Sequence, residues 1–103
     1  MQAIKRPRFL FDVAEELTWL NKKAGAEVAE RWYQSLLITL EDLKRQPYLG
    51  RERRDLKPAG IRSWRVKRFP RWLIFYLVRQ DEALVLLRVR YGTVNLTRVR
   101  MQS

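Results

Sequence analysis

Seven consecutive apolar residues, Trp72 to Val78, interrupt the most cationic part of the chain and would be apolar on both faces of an extended backbone. The run is far short of the roughly 18 residues of a membrane span. It reads as a central strand. On its N-terminal side, within Ile61 to Phe69, Trp64 and Val66 alternate with Arg65 and Lys67. On its C-terminal side, Val85, Leu87 and Val89 share one face while Leu84, Leu86, Arg88 and Arg90 share the other. Turns at Phe69-Pro70-Arg71 and Gln80-Asp81-Glu82, with Gly92 as the stop, predict a three-strand meander.

Helices are predicted to cover one side of that meander. Leu10, Val13, Leu17, Leu20 and Ala24 recur at helical spacing, with Asp12, Glu15 and Glu16 early and Lys22 and Lys23 late, the polarity a helix dipole favours. Pro7 suits the first turn, where its missing N–H costs nothing. Gly25 stops the helix, and Ala29, Trp32, Leu36, Leu40 and Leu43 draw a second stripe, widened by Tyr33 and Leu37, that Pro47 ends. So short a link makes an antiparallel helical hairpin. Gln2 to Arg6 offers a short first strand, and the charged, turn-rich stretch from Pro47 to Gly60 reads as a loop in which Arg51, Arg53 and Arg54 mark a mobile segment. The expected fold is α+β, in the order β-α-α-β-β-β: an N-terminal helical hairpin packed on a small, mostly antiparallel sheet. Residues 1–103 form one domain, with 97–103 as a loose tail.

Function is bounded first by what is missing. Without cysteine or histidine, the usual zinc sites, thiol nucleophiles and Ser-His-Asp relays are excluded, and no cofactor is called for. The N-terminus lacks a signal-peptide apolar run, so a cytoplasmic protein with no membrane partner is expected. Charge is concentrated. Residues 51–103 hold fourteen Lys and Arg against four Asp and Glu, whereas residues 8–46 hold six against seven. Such a field draws nucleic acid, an acidic protein or an anionic surface, without choosing among them. It also suits a solvated sheet face that merely keeps a small protein soluble.

The order of these parts resembles the RelE/ParE superfamily of toxins from bacterial toxin-antitoxin pairs, and its ParE branch most closely. The resemblance is carried by Asp12 with Leu17, Ala29 and Leu43, Pro47-Tyr48-Leu49-Gly50, Gly60-Ile61-Arg62, Ile74-Phe75-Tyr76, and Leu87-Arg88-Val89 with Gly92, across roughly residues 9–96. It implies a toxin neutralised by a cognate antitoxin of ribbon-helix-helix type. For the ParE branch it implies inhibition of DNA gyrase, or of the gyrase-DNA complex, by binding without catalysis. For the RelE branch it implies ribosome-dependent cleavage of messenger RNA.

Cleavage by a 2′-hydroxyl needs a proton acceptor, a proton donor and cations for the phosphate. Arg65, Lys67, Arg71 and Tyr91 are the candidates for that chemistry. The set departs from RelE-type toxins at Leu73 and at Thr93-Val94, where arginines are expected, and no tyrosine or histidine follows Tyr91. A gyrase-binding toxin with no catalytic residue is therefore the expected reading, an mRNA interferase the alternative, and an inactive homologue that keeps only antitoxin binding the third. The expected target-binding residues are Arg62, Trp64, Arg65, Lys67, Arg88 and Arg90, gathered on a cationic sheet face opposite the helices. Antitoxin is expected along an apolar groove beside Leu10, Trp19, Trp32 and Tyr33, or at an open sheet edge.

Overall fold

In the computed structural model, which describes residues 1–92 and Met101, strand β1 (Gln2–Lys5) leads into helices α1 (Pro7–Ala24) and α2 (Ala26–Arg45), followed by strands β2 (Arg51–Glu52), β3 (Arg62–Val66), β4 (Phe69–Val78) and β5 (Ala83–Tyr91). The strands form one sheet in the order β1-β5-β4-β3-β2, antiparallel except where β1 runs parallel to β5. The loop expected between Pro47 and Gly60 thus contains an edge strand, β2, paired to β3. Thr93-Val94 and the expected loose tail lie outside the described residues, apart from Met101.

Gly25 joins the helices at φ 97°, a left-handed conformation that costs glycine little, and its N–H donates to the carbonyls of Leu20 and Asn21. Lys22 and Lys23 occupy the last turn of α1, as the dipole favours. The α2 stripe is buried as its spacing predicts, including Ala29, Trp32, Leu36, Leu40 and Leu43. In α1 the inward side differs from the expected one: Phe9, Asp12 and Leu20 are buried, while Leu10 and Ala24 are exposed. These helix residues pack on Val66, Trp72, Ile74, Tyr76, Leu84, Leu86 and Val89 of the sheet.

The opposite side of the sheet is not an open cationic face. Phe75, Val85 and Leu87 form a second apolar cluster there, roofed by Leu56 and Ile61 of the β2–β3 loop and by Met101. That loop is pinned, not mobile at Arg53. The Arg53 guanidinium is buried, donates to both oxygens of Asp55, and lies 5.6 Å from the Phe75 ring centroid.

Two sheet details position the candidate site. The β3–β4 turn falls at Lys67-Arg68, with Arg68 at φ 67°, so Phe69-Pro70-Arg71 belongs to β4 instead of forming the turn. Between β4 and β5, Phe75 pairs with Arg88 but Tyr76 pairs with Leu86, leaving Leu87 as the extra residue of a bulge. Beyond it Val89 joins Leu84 and Leu86 on the helix side, contrary to strict alternation.

Candidate functional site

The β3–β4 hairpin carries a cluster of exposed cations. Thr39 of α2 anchors its turn: the Thr39 hydroxyl donates to the Ser35 carbonyl at 2.7 Å and accepts the Lys67 backbone N–H at 2.9 Å. Arg65, Lys67 and Arg68 then project around a hollow of about 350 Å³ that Asp42 and Trp64 also line. The Arg65 guanidinium stacks 4.6 Å from the Trp64 ring centroid, which keeps its charge in water while restraining its direction.

Arg62 is held differently. Its Nη1 donates to the Gly50 carbonyl at 2.7 Å, and its guanidinium lies 4.9 Å from the centroid of Tyr48, a ring 66% exposed. Tyr76 fixes the same corner, its hydroxyl accepting the Gly50 N–H and donating to the Pro47 carbonyl, both at 2.8 Å. A Cβ on Gly50 would come within 2.8 Å of the Ser63 carbonyl and closer still to the Tyr76 hydroxyl, so the Pro47-Tyr48-Leu49-Gly50 segment closes only around glycine.

Arg88 and Arg90 are not part of this surface. Asp12, 1% exposed, accepts Arg88 Nε at 2.6 Å and Nη2 at 2.9 Å, the Val89 N–H at 3.2 Å and Arg90 Nη1 at 3.4 Å. Arg88 is 6% exposed. The cause is the uneven length of the neighbouring strands: β1 ends opposite Leu86, so a carboxylate from α1 takes over the edge of β5 and draws both guanidiniums to itself. The six expected target contacts therefore divide. Arg62, Trp64, Arg65 and Lys67 lie on β3 and its turn, while Arg88 and Arg90 are bound to Asp12, Arg88 in the interior and Arg90 at its partly exposed margin.

Of the alternative catalytic set, Arg71 Nη1 donates to the Tyr91 hydroxyl at 3.2 Å, and Arg65 is stacked on Trp64 across the β3–β4 pairing. No hydrogen bond or ion pair links the two pairs among the described residues.

The expected antitoxin groove also changes composition. Leu10 is exposed and Trp19 is 49% exposed, with Tyr33 half-buried, but Trp32 is fully buried in the core, edge-on to Trp72 at 6.2 Å. Phe11, 59% exposed next to Leu10, is an apolar surface residue that the sequence reading missed because it falls off the helical stripe. Midway along α1, Glu15, Glu16 and Trp19 face Trp72 and Tyr91 across an open hollow of about 270 Å³. Burial raises the pKa of Glu16, opposed by the nearby Trp72 indole N–H and by Arg90.

Fold and surface together define a small basic α+β domain: a helical hairpin covering one face of a mixed five-stranded sheet, with a cluster of exposed cations on one β-hairpin. The family model of the ParE toxin of the type II toxin-antitoxin system parDE matches residues 4–95. The chain belongs to that family and is a ParE-type toxin of a type II toxin-antitoxin system. A solved structure described as the chromosomal ParDE toxin-antitoxin system from P. aeruginosa shares the fold, with a TM-score of 0.73 at 16% identity, covering 88% of this chain and 95% of that one. A search of curated proteins finds no match. No helix among the described residues is long and apolar enough to cross a membrane.

Proposed function

We propose that this toxin acts by binding, and that its target is DNA gyrase or the gyrase-DNA complex, stalled after strand cleavage. One observation carries the reading: Arg65, Lys67 and Arg68 crowd a single exposed hairpin, with Trp64 and Arg62 beside them. Cations so close repel one another and contribute little to the isolated fold, whereas an anionic surface neutralises them. The chemistry of RNA cleavage is poorly served by the same residues, because Arg71 is engaged with Tyr91 and the chain has no histidine. A cognate antitoxin of ribbon-helix-helix type silences the toxin by folding an acidic and apolar segment over Leu10, Trp19 and Tyr33.

The test is a supercoiling assay with purified gyrase. Wild-type protein is expected to inhibit supercoiling and to trap cleaved DNA, and an Arg65→Ala, Lys67→Ala variant that folds normally is expected to do neither. Untouched supercoiling together with codon-specific cleavage of translated messages during induction would overturn the proposal.

A further inference from the structure

The hollow midway along α1 is chemically unlike the basic surface of the β3–β4 hairpin. On a chain of net charge +11, it places two carboxylates, Glu15 and Glu16, against three aromatic rings, Trp19, Trp72 and Tyr91. Trp72 and Tyr91 pack with centroids 4.7 Å apart as one wall, and half-exposed Trp19 forms the other. Neither glutamate has a cation within ion-pair distance among the described residues. Arg90, whose charge favours the ionised form of Glu16, pairs with Asp12 at 3.4 Å.

A second observation points to a missing ligand. Trp72 is 8% exposed, and its buried indole N–H lies close enough to Glu16 to favour the carboxylate, yet it makes no bond of full hydrogen-bond geometry among the described residues. Buried donors are nearly always paired.

We infer that this hollow receives an arginine side chain from a partner polypeptide. A guanidinium stacks on indole and phenol faces and forks onto carboxylates, which a lysine ammonium does less well. An isolated cation leaves the Trp72 donor unsatisfied, but an arginine within a polypeptide also brings a main-chain carbonyl. The charge of the whole toxin selects the rest of the partner: a basic chain is repelled, so the arginine must stand alone in a neutral or acidic segment. The hollow then works as a register key, because a segment shifted along the surface would present the wrong residue to Glu15 and Glu16. The inference is independent of the gyrase reading, since this hollow shares no residue with the cationic hollow around Arg65, Lys67 and Arg68.

N-acetyl-arginine methylamide is the probe, titrated into ¹⁵N-labelled protein while the indole N–H resonances of Trp19 and Trp72 are followed. A saturable shift of both is expected, with weaker binding for the lysine analogue and none for the uncharged, isosteric citrulline analogue. Glu15→Gln with Glu16→Gln is expected to weaken the arginine probe about tenfold or more. Trp19→Ala, at an exposed site, is expected to weaken it without disturbing the fold. Equal shifts with citrulline, or an unchanged affinity in the glutamine variant, would overturn the assignment. So would a concentration-dependent dimer that the probe dissociates, which would identify a second copy as the source of the arginine.

Discussion

Removing the Asp12 carboxylate is the most severe single change the structure predicts. Asp12→Ala deletes four contacts at once: two charge-assisted bonds from Arg88, the longer one from Arg90, and the cap on the Val89 N–H. Arg88 and Asp12 are both almost inaccessible, so water cannot replace what is lost. Breaking a buried pair in this way costs about 3–5 kcal/mol. Against the roughly 5–15 kcal/mol that holds most small domains together, that is a large share. Urea unfolding measures it directly: the midpoint should fall sharply while the slope stays constant, since the surface exposed on unfolding hardly changes. Asp12→Leu combined with Arg88→Met separates pairing from packing. Apolar replacement of both partners of a buried pair is often neutral, so the double variant should recover most of the loss. A cost below about 1 kcal/mol for Asp12→Ala, or a double variant no better than the single, would refute the view that Asp12 closes the β5 edge.

Two further outcomes follow from buried polar groups. Tyr76→Phe leaves the Gly50 N–H and the Pro47 carbonyl unpaired in a closed corner, at a cost of about 1–3 kcal/mol in the same urea experiment; an unchanged midpoint would show that water satisfies the corner. Burial raises the folded-state pKa of Glu16 above its unfolded value, so the stability linked to Glu16 is present at acid pH and lost as pH rises through the folded value. Glu16→Gln should therefore melt higher than wild type at neutral pH, with the gap closing on acidification. Such a gain would also separate any loss of arginine binding in this variant from unfolding.

What the sequence made legible is what periodicity encodes. The stripe from Ala29 to Leu43, the two-faced strand Trp72–Val78 and the stop at Gly25 each follow from local pattern, and each forms as read. The cover on the far side of the sheet was not legible, because Leu56, Ile61 and Met101 are single apolar residues in stretches without a period. Burial there is decided by chain reversal in three dimensions. The same limit hid Arg53, whose neighbours in sequence are exposed and whose partners are Asp55 and a ring on a strand two positions away in the sheet.

Arg88 and Arg90 show why charge counting overestimated the docking face. Alternation along β5 placed both on one solvated side, yet alternation holds only while two strands stay in register, and the extra residue at Leu87 breaks it. The bulge falls just beyond Leu86, where β1 ends, and there a strand edge needs some other acceptor for its next N–H. Asp12 supplies that acceptor from 77 positions upstream, and an ionised acceptor buried in the sheet plane in turn requires cations. The bulge, the short first strand and the Asp12–Arg88 pair thus form one device that spends two of the chain's arginines on closing an edge. Among the cations left for an anionic partner, Arg65, Lys67 and Arg68 cluster on the other flank of β4, on the hairpin that Thr39 holds in place.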